Sequence, residues 1–227
     1  EAGAMACLHC SSTKYGFRVS DIRDGDVIDL PWRLDGGETQ RASVWSDEVD
    51  ALRASEEVSA WFADKLGITC ALLYMPESAH RPVDPAYASG ITSLSDGFPY
   101  LILSQASLDD LNARIRSSSD HLIDPSSDLG MERFRPNIVI AGGTAFQEDS
   151  WQEIAIGDTL FSLVKPCGRC AIPTIDQRTG EKGKEPTRTL ATFRKRVTEA
   201  GAVKVEFGMN AMAIAGGQLN SGDPIRV

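Results

Sequence analysis

The sequence lacks the short motifs that identify the commonest classes of enzyme. It contains no G-x-G-x-x-G, no P-loop and no H-E-x-x-H, so no motif supports nucleotide binding or zinc-peptidase chemistry. Its apolar runs, such as residues 100–103 and 138–141, are far shorter than the ~20 residues of a membrane helix. No membrane span is expected. No secretory signal is visible, although residue 1 is Glu and an upstream targeting segment stays open.

Cysteine, histidine and positive charge are also scarce. Five cysteines in 227 residues exclude a disulfide scaffold, and their odd number favours a reducing compartment, here taken as the cytoplasm. Lys+Arg number 23 against 32 Asp+Glu, a net charge of −9, which argues against a nucleic-acid partner. Hydrophobic residues make up 42% and charged residues 24%, as in ordinary globular proteins.

The first part of the chain predicts short strands and then a helix. Residues 1–54 show patchy alternation and are interpreted as the remnant of a β-rich domain, and residues 55–227 are expected to form a second domain. Apolar residues recur at helical spacing from Val58 to Leu66, between a candidate N-cap, Ser55, and a candidate stop, Gly67. A strand over 71–74 and a long loop over 76–99 follow.

The second part predicts many short strands and few helices. A strand over 100–104 precedes a helix that Ser107 and Asp110 would cap as a capping box. Another helix would begin near Thr187. Further strands are predicted over 137–141, 151–156, 159–165, 171–175, 203–207, 211–215 and 224–227. This order favours an α+β fold, a mixed sheet or barrel with helices on its flanks.

Four cysteines form two C-x-x-C pairs, Cys7/Cys10 and Cys167/Cys170. All four together could bind zinc, but the pairs lie much farther apart than in zinc ribbons. A redox dithiol at 167–170 is disfavoured, since Pro173 opposes the helix that such a motif needs. Neighbouring basic residues favour the Cys170 thiolate as a nucleophile or soft metal ligand. A Cys-His hydrolase is a poor fit, because the three histidines occur in polar contexts (His9, His80 and His121).

Two positions could bind an anion. Arg135 comes just before a buried strand and could fork onto a phosphate or carboxylate, although a surface ion pair is the commoner explanation for a single arginine. Ser107 stands at a predicted helix start, where free backbone N–H groups favour negative charge, although it could simply be an N-cap. The residues alone therefore indicate a mixed α/β protein with a reactive cysteine and an anionic ligand.

Several ordered stretches resemble the MOSC family, the molybdenum-cofactor sulfurase C-terminal domains, and in particular its amidoxime-reducing branch. They include Arg133-Phe-Arg-Pro-Asn137, Lys165-Pro-Cys-Gly-Arg-Cys170 and Lys184-Glu-Pro186, and the match extends over about residues 98–227. The resemblance implies a MOSC β-barrel and a molybdenum cofactor whose metal is bound by Cys170. It places cofactor contacts at Gln105, Ala106, Ser107, Arg135, Asn137, Gly168, Arg169 and Asn210, and a catalytic acid at Asp176.

The resemblance also implies an activity and its partners. The expected reaction is reduction of small N-hydroxylated substrates such as amidoximes and hydroxylamines. Electrons would come from a separate ferredoxin-like or cytochrome b5-like protein, and a monomer is expected. Two cofactor-contacting features of the family's N-terminal half, a Lys-Ser pair and an Arg-rich segment, are not found in this sequence. An alternative is therefore a module that carries the cofactor or sulfur without turnover.

Overall fold

The computed structural model of the chain describes residues 3–118, 128–198 and 201–227. These residues form two compact units. The first contains the described residues up to Pro82, with Ile91–Asp96 and Ile175–Gly183; the second contains the described parts of Val83–Gly90, Gly97–Thr174 and Lys184–Val227. The domain boundary expected after residue 54 stays a prediction. Every helix within the described ranges is too short or too polar to cross a bilayer.

The first unit consists mainly of short antiparallel strands. A short helix, Gly3–Ala6 (α1), precedes a sheet of Leu8–Ser12 (β1), Gly16–Asp21 (β2) and Val27–Pro31 (β3). A second sheet contains Thr39–Val44 (β4), Asp47–Arg53 (β5) and, after the helix Glu56–Leu66 (α2), Leu73–Tyr74 (β6). Within the predicted loop 76–99, Arg81–Pro82 (β7) pairs with Ile91–Thr92 (β8).

Helix α2 begins and ends where the sequence predicts. The Ser55 hydroxyl accepts the backbone N–H of Val58, as an N-cap does. Gly67 ends the helix in the left-handed conformation, with a φ of 68°, which glycine adopts without a steric penalty. Both ends of this helix are therefore encoded locally.

Lys65 attaches α2 to the turn between β2 and β3. Its Nζ lies 2.9 Å from a carboxylate oxygen of Asp24 and 2.9 Å from one of Asp26. The pKa of Asp26 lies below its usual value, chiefly because Lys65 hydrogen-bonds to it. The pKa of Asp24 is lowered first by the backbone N–H of Asp26 and then by Lys65. Each carboxylate is thus stabilised in its ionised form in the folded chain.

We expect Lys65→Met to lower the free energy of unfolding at pH 7 more than at pH 3. The two depressed pKa values stabilise the fold above the usual Asp value of 3.8, and this stabilisation is lost as the pH falls through the folded-state values. Urea unfolding at both pH values measures the difference. Lys182→Met, at an exposed lysine, is the control, and an equal loss at both pH values in Lys65→Met would contradict the interpretation.

The second unit is a mixed sheet with helices beside it. Its strands are Tyr100–Ser104 (β9), Ile138–Ile140 (β10), Glu153–Ile156 (β11), Thr159–Gly168 (β12), Lys195–Val197 (β13), Val203–Ala215 (β14) and Ile225–Arg226 (β15). Its α-helices are Gln105–Ser117 (α3) and Thr187–Phe193 (α4), and its 3-10 helices are Met131–Arg133, Gln147–Ser150 and Ile172–Thr174.

The strand order confirms the predicted α+β class. The order is β10-β9-β14-β12-β11-β15, with β13 paired to β14. Strands β9 and β10 are parallel, and the other pairs are antiparallel. Three register shifts interrupt the β12–β14 pairing. Such bulges increase local twist, in keeping with a sheet that curls into a half-barrel.

Gly208 lets β14 contribute to two core clusters. Residues two apart on a regular strand face the same side, yet Phe207 packs with Leu103 whereas Met209 packs with Ile102 in another cluster. Gly208 between them has a φ of 81°, and a Cβ there would lie 3.1 Å from the carbonyl oxygen of Ile102. The kink at this glycine turns the two side chains toward different clusters.

Two sequence predictions for this unit are wrong. Residues 171–175 contain the 3-10 helix Ile172–Thr174 and not a strand, because Pro173 has no N–H for a ladder and both Thr174 donors bind the carbonyl of Ala171. The strands predicted over 203–207 and 211–215 are one continuous strand, β14.

Candidate functional site

The two cysteines of the second C-x-x-C motif have different environments. Cys167 lies within β12 and is only 9% exposed, whereas Cys170 lies in the loop that follows and is exposed. The Sγ of Cys170 accepts the backbone N–H of Ile172 at 3.5 Å, at the start of the 3-10 helix. We name residues 169–174 the Cys170 loop. Of the two thiols, that of Cys170 is the one that a ligand can reach from solvent.

Arg169 is held on three sides. Its Nη2 donates to the carbonyl oxygen of Phe134 at 2.8 Å, its Nη1 donates to the Sγ of Cys167 at 3.2 Å, and its guanidinium carbon lies 5.6 Å from the centre of the Phe134 ring. Its Nε is buried and has no hydrogen-bond partner in the described part of the chain. A buried unpaired donor costs about 1–3 kcal/mol, so this N–H is suited to an acceptor on a bound ligand.

Arg135 has an unusual backbone and an exposed side chain. Its φ is 55°, although a residue before proline normally adopts an extended conformation. Within residues 3–118, 128–198 and 201–227, no carboxylate forms an ion pair with it. The Arg135 N–H donates to the carbonyl oxygen of Glu132 at 3.2 Å, and beyond Pro136 the residue Asn137 exchanges two hydrogen bonds with the backbone of Leu101. Strained residues of this kind are concentrated at functional sites.

Asn137 and Asn210 lie on opposite sides of Leu101. The Asn137 Oδ1 accepts the Leu101 N–H at 2.8 Å, and Asn210 of β14 is the register partner of Leu101. On its other side Asn210 pairs with Lys165 of β12, and its Nδ2 donates to the carbonyl oxygen of Pro166 at 3.5 Å. The sheet therefore brings both asparagines to the beginning of β9.

The start of α3 differs from the sequence prediction. Ser104, not Ser107, is the N-cap, and its hydroxyl accepts the N–H of Ser107 at 3.1 Å. The Ser107 side chain is fully buried, donates to Glu148 at 2.7 Å and accepts the N–H of Phe146 at 2.7 Å. The capping box with Asp110 is therefore wrong, and the Ser107 hydroxyl is engaged by protein groups.

The other two residues predicted at this helix start lie nearer the surface. Gln105 is exposed, and its Nε2 donates to Asp109 one turn later at 2.8 Å. Ala106 is half-buried. These residues follow the end of β9, whereas Asn137 and Asn210 adjoin Leu101 near its beginning. At ~3.3 Å per residue the strand separates the two groups by roughly 10 Å, so a ligand that touches both must be extended.

Asp176 belongs to the first unit and organises a turn there. Its Oδ1 accepts the backbone N–H groups of Arg178 at 2.8 Å and Thr179 at 3.2 Å. Its own backbone carbonyl accepts the N–H of Gly180 at 2.8 Å. The catalytic role implied for Asp176 stays a prediction.

Sequence reasoning missed the importance of Glu148. This carboxylate is 1% exposed and accepts hydrogen bonds from both the N–H and the hydroxyl of Ser104 and from the hydroxyl of Ser107. In the sequence, Glu148 and Asp149 before Trp151 are interpreted only as structural caps or turn partners. A buried acid 41 residues from its partner leaves no local sequence signal.

The described residues provide no cluster of ligands for the zinc site that the two cysteine pairs could form. Among the described residues, no three His, Cys, Asp or Glu side chains are grouped so that they could hold a metal ion. Cys7 is fully buried, whereas Cys10 is exposed on β1. Of the three histidines, His121 lies outside the described residues.

We expect Glu148→Ala to lower the free energy of unfolding by about 2–4 kcal/mol, because it leaves the buried hydroxyls of Ser104 and Ser107 without their acceptor. Urea denaturation measures this. Glu153→Ala, an exposed change on β11, is the matched control and is expected to shift stability by no more than about 0.5 kcal/mol. Equal effects of the two changes would show that the hydrogen bonds of Glu148 contribute nothing to the free energy of unfolding.

Comparison with known proteins agrees with this architecture. The chain is 33% identical over 192 residues to mitochondrial amidoxime reducing component 2 of Rattus norvegicus, covering 75% of this chain and 51% of the relative. It is 29% identical over 199 residues to molybdenum cofactor sulfurase of Homo sapiens, covering 82% of this chain and 22% of the relative. It therefore spans about half or less of these relatives' lengths. A sequence model of the MOSC domain matches residues 90–226, more than half of the chain, and the chain belongs to the MOSC domain family.

Proposed function

We propose that this chain binds a molybdenum cofactor and reduces N-hydroxylated compounds such as amidoximes and hydroxylamines. The observation that carries the proposal is the exposed Cys170 thiol next to Arg169, whose buried Nε has no partner in the described residues. The names of the relatives support it, since one is an amidoxime-reducing component and the other a molybdenum cofactor sulfurase.

The residues present fit such a cofactor. Thiolate is a suitable ligand for a thiophilic metal, and Cys170 would bind the metal through its Sγ. Arg135 and the Nε of Arg169 would bind the anionic phosphate. Gly168, Asn137 and Asn210 would contact the pterin. At the beginning of α3, exposed Gln105 and half-buried Ala106 would approach it through main-chain atoms, and buried Ser107 would support them from behind through its bond to Ser104. When bound, the cofactor supplies a metal that takes up and releases two electrons.

The reaction consumes electrons and protons in equal number. An amidoxime takes up two electrons and two protons, its N–O bond breaks, and an amidine and water are formed. A separate ferredoxin-like or cytochrome b5-like protein would supply the electrons. Asp176 would orient the substrate or relay a proton toward the oxygen that leaves.

Cys170→Ala should abolish both metal binding and activity. We expect the molybdenum-to-protein ratio to fall to background, and reduction of benzamidoxime with a chemical reductant to fall with it, because the metal loses its protein ligand. Cys10→Ala, which removes the exposed thiol of β1, is the control and should retain both. Retained molybdenum in Cys170→Ala would refute the assignment, and loss in Cys167→Ala alone would transfer the ligand role to that cysteine.

Asp176→Asn tests the acid. If Asp176 donates a proton, kcat should fall by about 100-fold or more with the molybdenum content unchanged, and the decline in rate that deprotonation of this acid causes as the pH rises should disappear from the pH–rate profile. The amide keeps an oxygen that can accept the two backbone N–H groups, so the turn is preserved. An unchanged pH–rate profile would exclude the role.

A second candidate is a module that carries the cofactor or sulfur without turnover. The match to a molybdenum cofactor sulfurase, which covers 82% of the chain, favours it. Cofactor that copurifies with the wild-type chain but supports no turnover with dithionite and a viologen mediator would establish this candidate. Steady reduction of benzamidoxime would eliminate it.

A further inference from the structure

One short segment holds the Cys170 loop at both ends. Arg133 ends the 3-10 helix Met131–Arg133, and its Nε donates to the carbonyl oxygen of Pro173 at 3.0 Å. The next residue, Phe134, accepts the Nη2 of Arg169 through its own carbonyl oxygen at 2.8 Å. Arg169 and Pro173 lie on either side of Cys170 in the chain. Both flanks of the cysteine are therefore attached to residues 133–134.

The attachment points are rigid. Phe134 is fully buried, and its ring centre lies 4.6 Å from that of Phe207 in the core. Arg133 is only 9% exposed, so its bond to the Pro173 carbonyl is shielded from water. Hydrogen bonds from a charged donor are about twice as strong as neutral ones, and the low dielectric of the interior strengthens them further.

The loop between the attachment points behaves as a single turn. The backbone N–H of Thr174 donates to the carbonyl oxygen of Ala171 at 3.0 Å, and the Thr174 hydroxyl donates to the same oxygen at 2.7 Å. The N–H of Ile172 donates to the Sγ of Cys170. Because these bonds connect the sulfur to the turn, fixing the carbonyl of Pro173 also fixes the sulfur.

We propose that Arg133 is a positioning residue: by holding the carbonyl of Pro173, it fixes the direction in which Cys170 presents its sulfur to a metal. This inference rests on the proposed role of Cys170 as the metal ligand. Arg133 itself touches neither metal nor substrate in this account. Metal ligands generally need such outer support, and removing it typically lowers metal affinity by about 10–100-fold.

Two substitutions at Arg133 remove different parts of its side chain. Arg133→Met removes the donor but keeps a long apolar side chain. Arg133→Lys keeps the charge and one possible donor but loses the planar fork, so it should retain part of the support that Arg133 gives to the Pro173 carbonyl. Arg116→Met is the matched control, because Arg116 is an exposed arginine of α3 that pairs with Asp128.

The first experiment needs no cofactor. Amide hydrogen exchange is followed by NMR in the full chain as purified, at the amides of Ile172 and Thr174 and at those of β9. In Arg133→Met we expect exchange at Ile172 and Thr174 to be about tenfold faster or more, with β9 unchanged. Arg133→Lys should be intermediate, and Arg116→Met should match the wild type. Unchanged exchange at the two amides, or equal acceleration in β9, would overturn the proposal.

The second experiment measures the metal. After production with molybdate and the cofactor pathway, we expect Arg133→Met to retain about 10–100-fold less molybdenum at equilibrium in dialysis, with Arg133→Lys between it and the wild type. Full retention in Arg133→Met would refute the positioning role. A wild-type chain that holds no molybdenum would instead refute the proposed function, while the exchange experiment would still report whether Arg133 holds the loop.

Discussion

The guanidinium of Arg169, bonded to the carbonyl of Phe134 and to the sulfur of Cys167, gives the two cysteines of the motif different surroundings. The guanidinium donates to the sulfur of Cys167 inside β12, whereas Cys170 lies in the exposed loop that follows. The two thiols are three residues apart but differ in burial and in neighbours. The motif thus has one buried thiol that accepts a hydrogen bond from an arginine and one exposed thiol that a ligand can reach.

An acidic chain can still bind an anion where its cations lack acidic partners. The chain carries a net charge of −9, and many of its exposed arginines are paired with carboxylates, as Arg18 is with Asp29. Arg135 has no such partner among the described residues, and Arg169 is held by a carbonyl and a sulfur. A carbonyl and a thiol do not neutralise the charge of Arg169, and under the proposed function both arginines would bind the phosphate of the cofactor.

The sequence predicted the elements whose signals are local. The caps of α2 at Ser55 and Gly67, strand β9 and the mixed-sheet class are confirmed. The errors arise where residues distant in the sequence determine the local structure. Ser107 resembles an N-cap until Glu148, far along the chain, takes its hydroxyl, and residues 171–175 resemble a strand until Ala171 accepts both donors of Thr174. The kink at Gly208 and the bond from Arg133 to Pro173 leave no periodic pattern that sequence analysis could detect.

X-ray absorption at the molybdenum edge shows whether Cys170 binds the metal, because it counts the sulfur atoms bound to molybdenum. The comparison is between the wild-type chain and Cys170→Ser, a variant that can keep some metal through its hydroxyl. If Cys170 is the ligand, the variant should have one sulfur ligand fewer, with an oxygen in its place. The same number of sulfur ligands in both proteins would show that Cys170 is not the ligand.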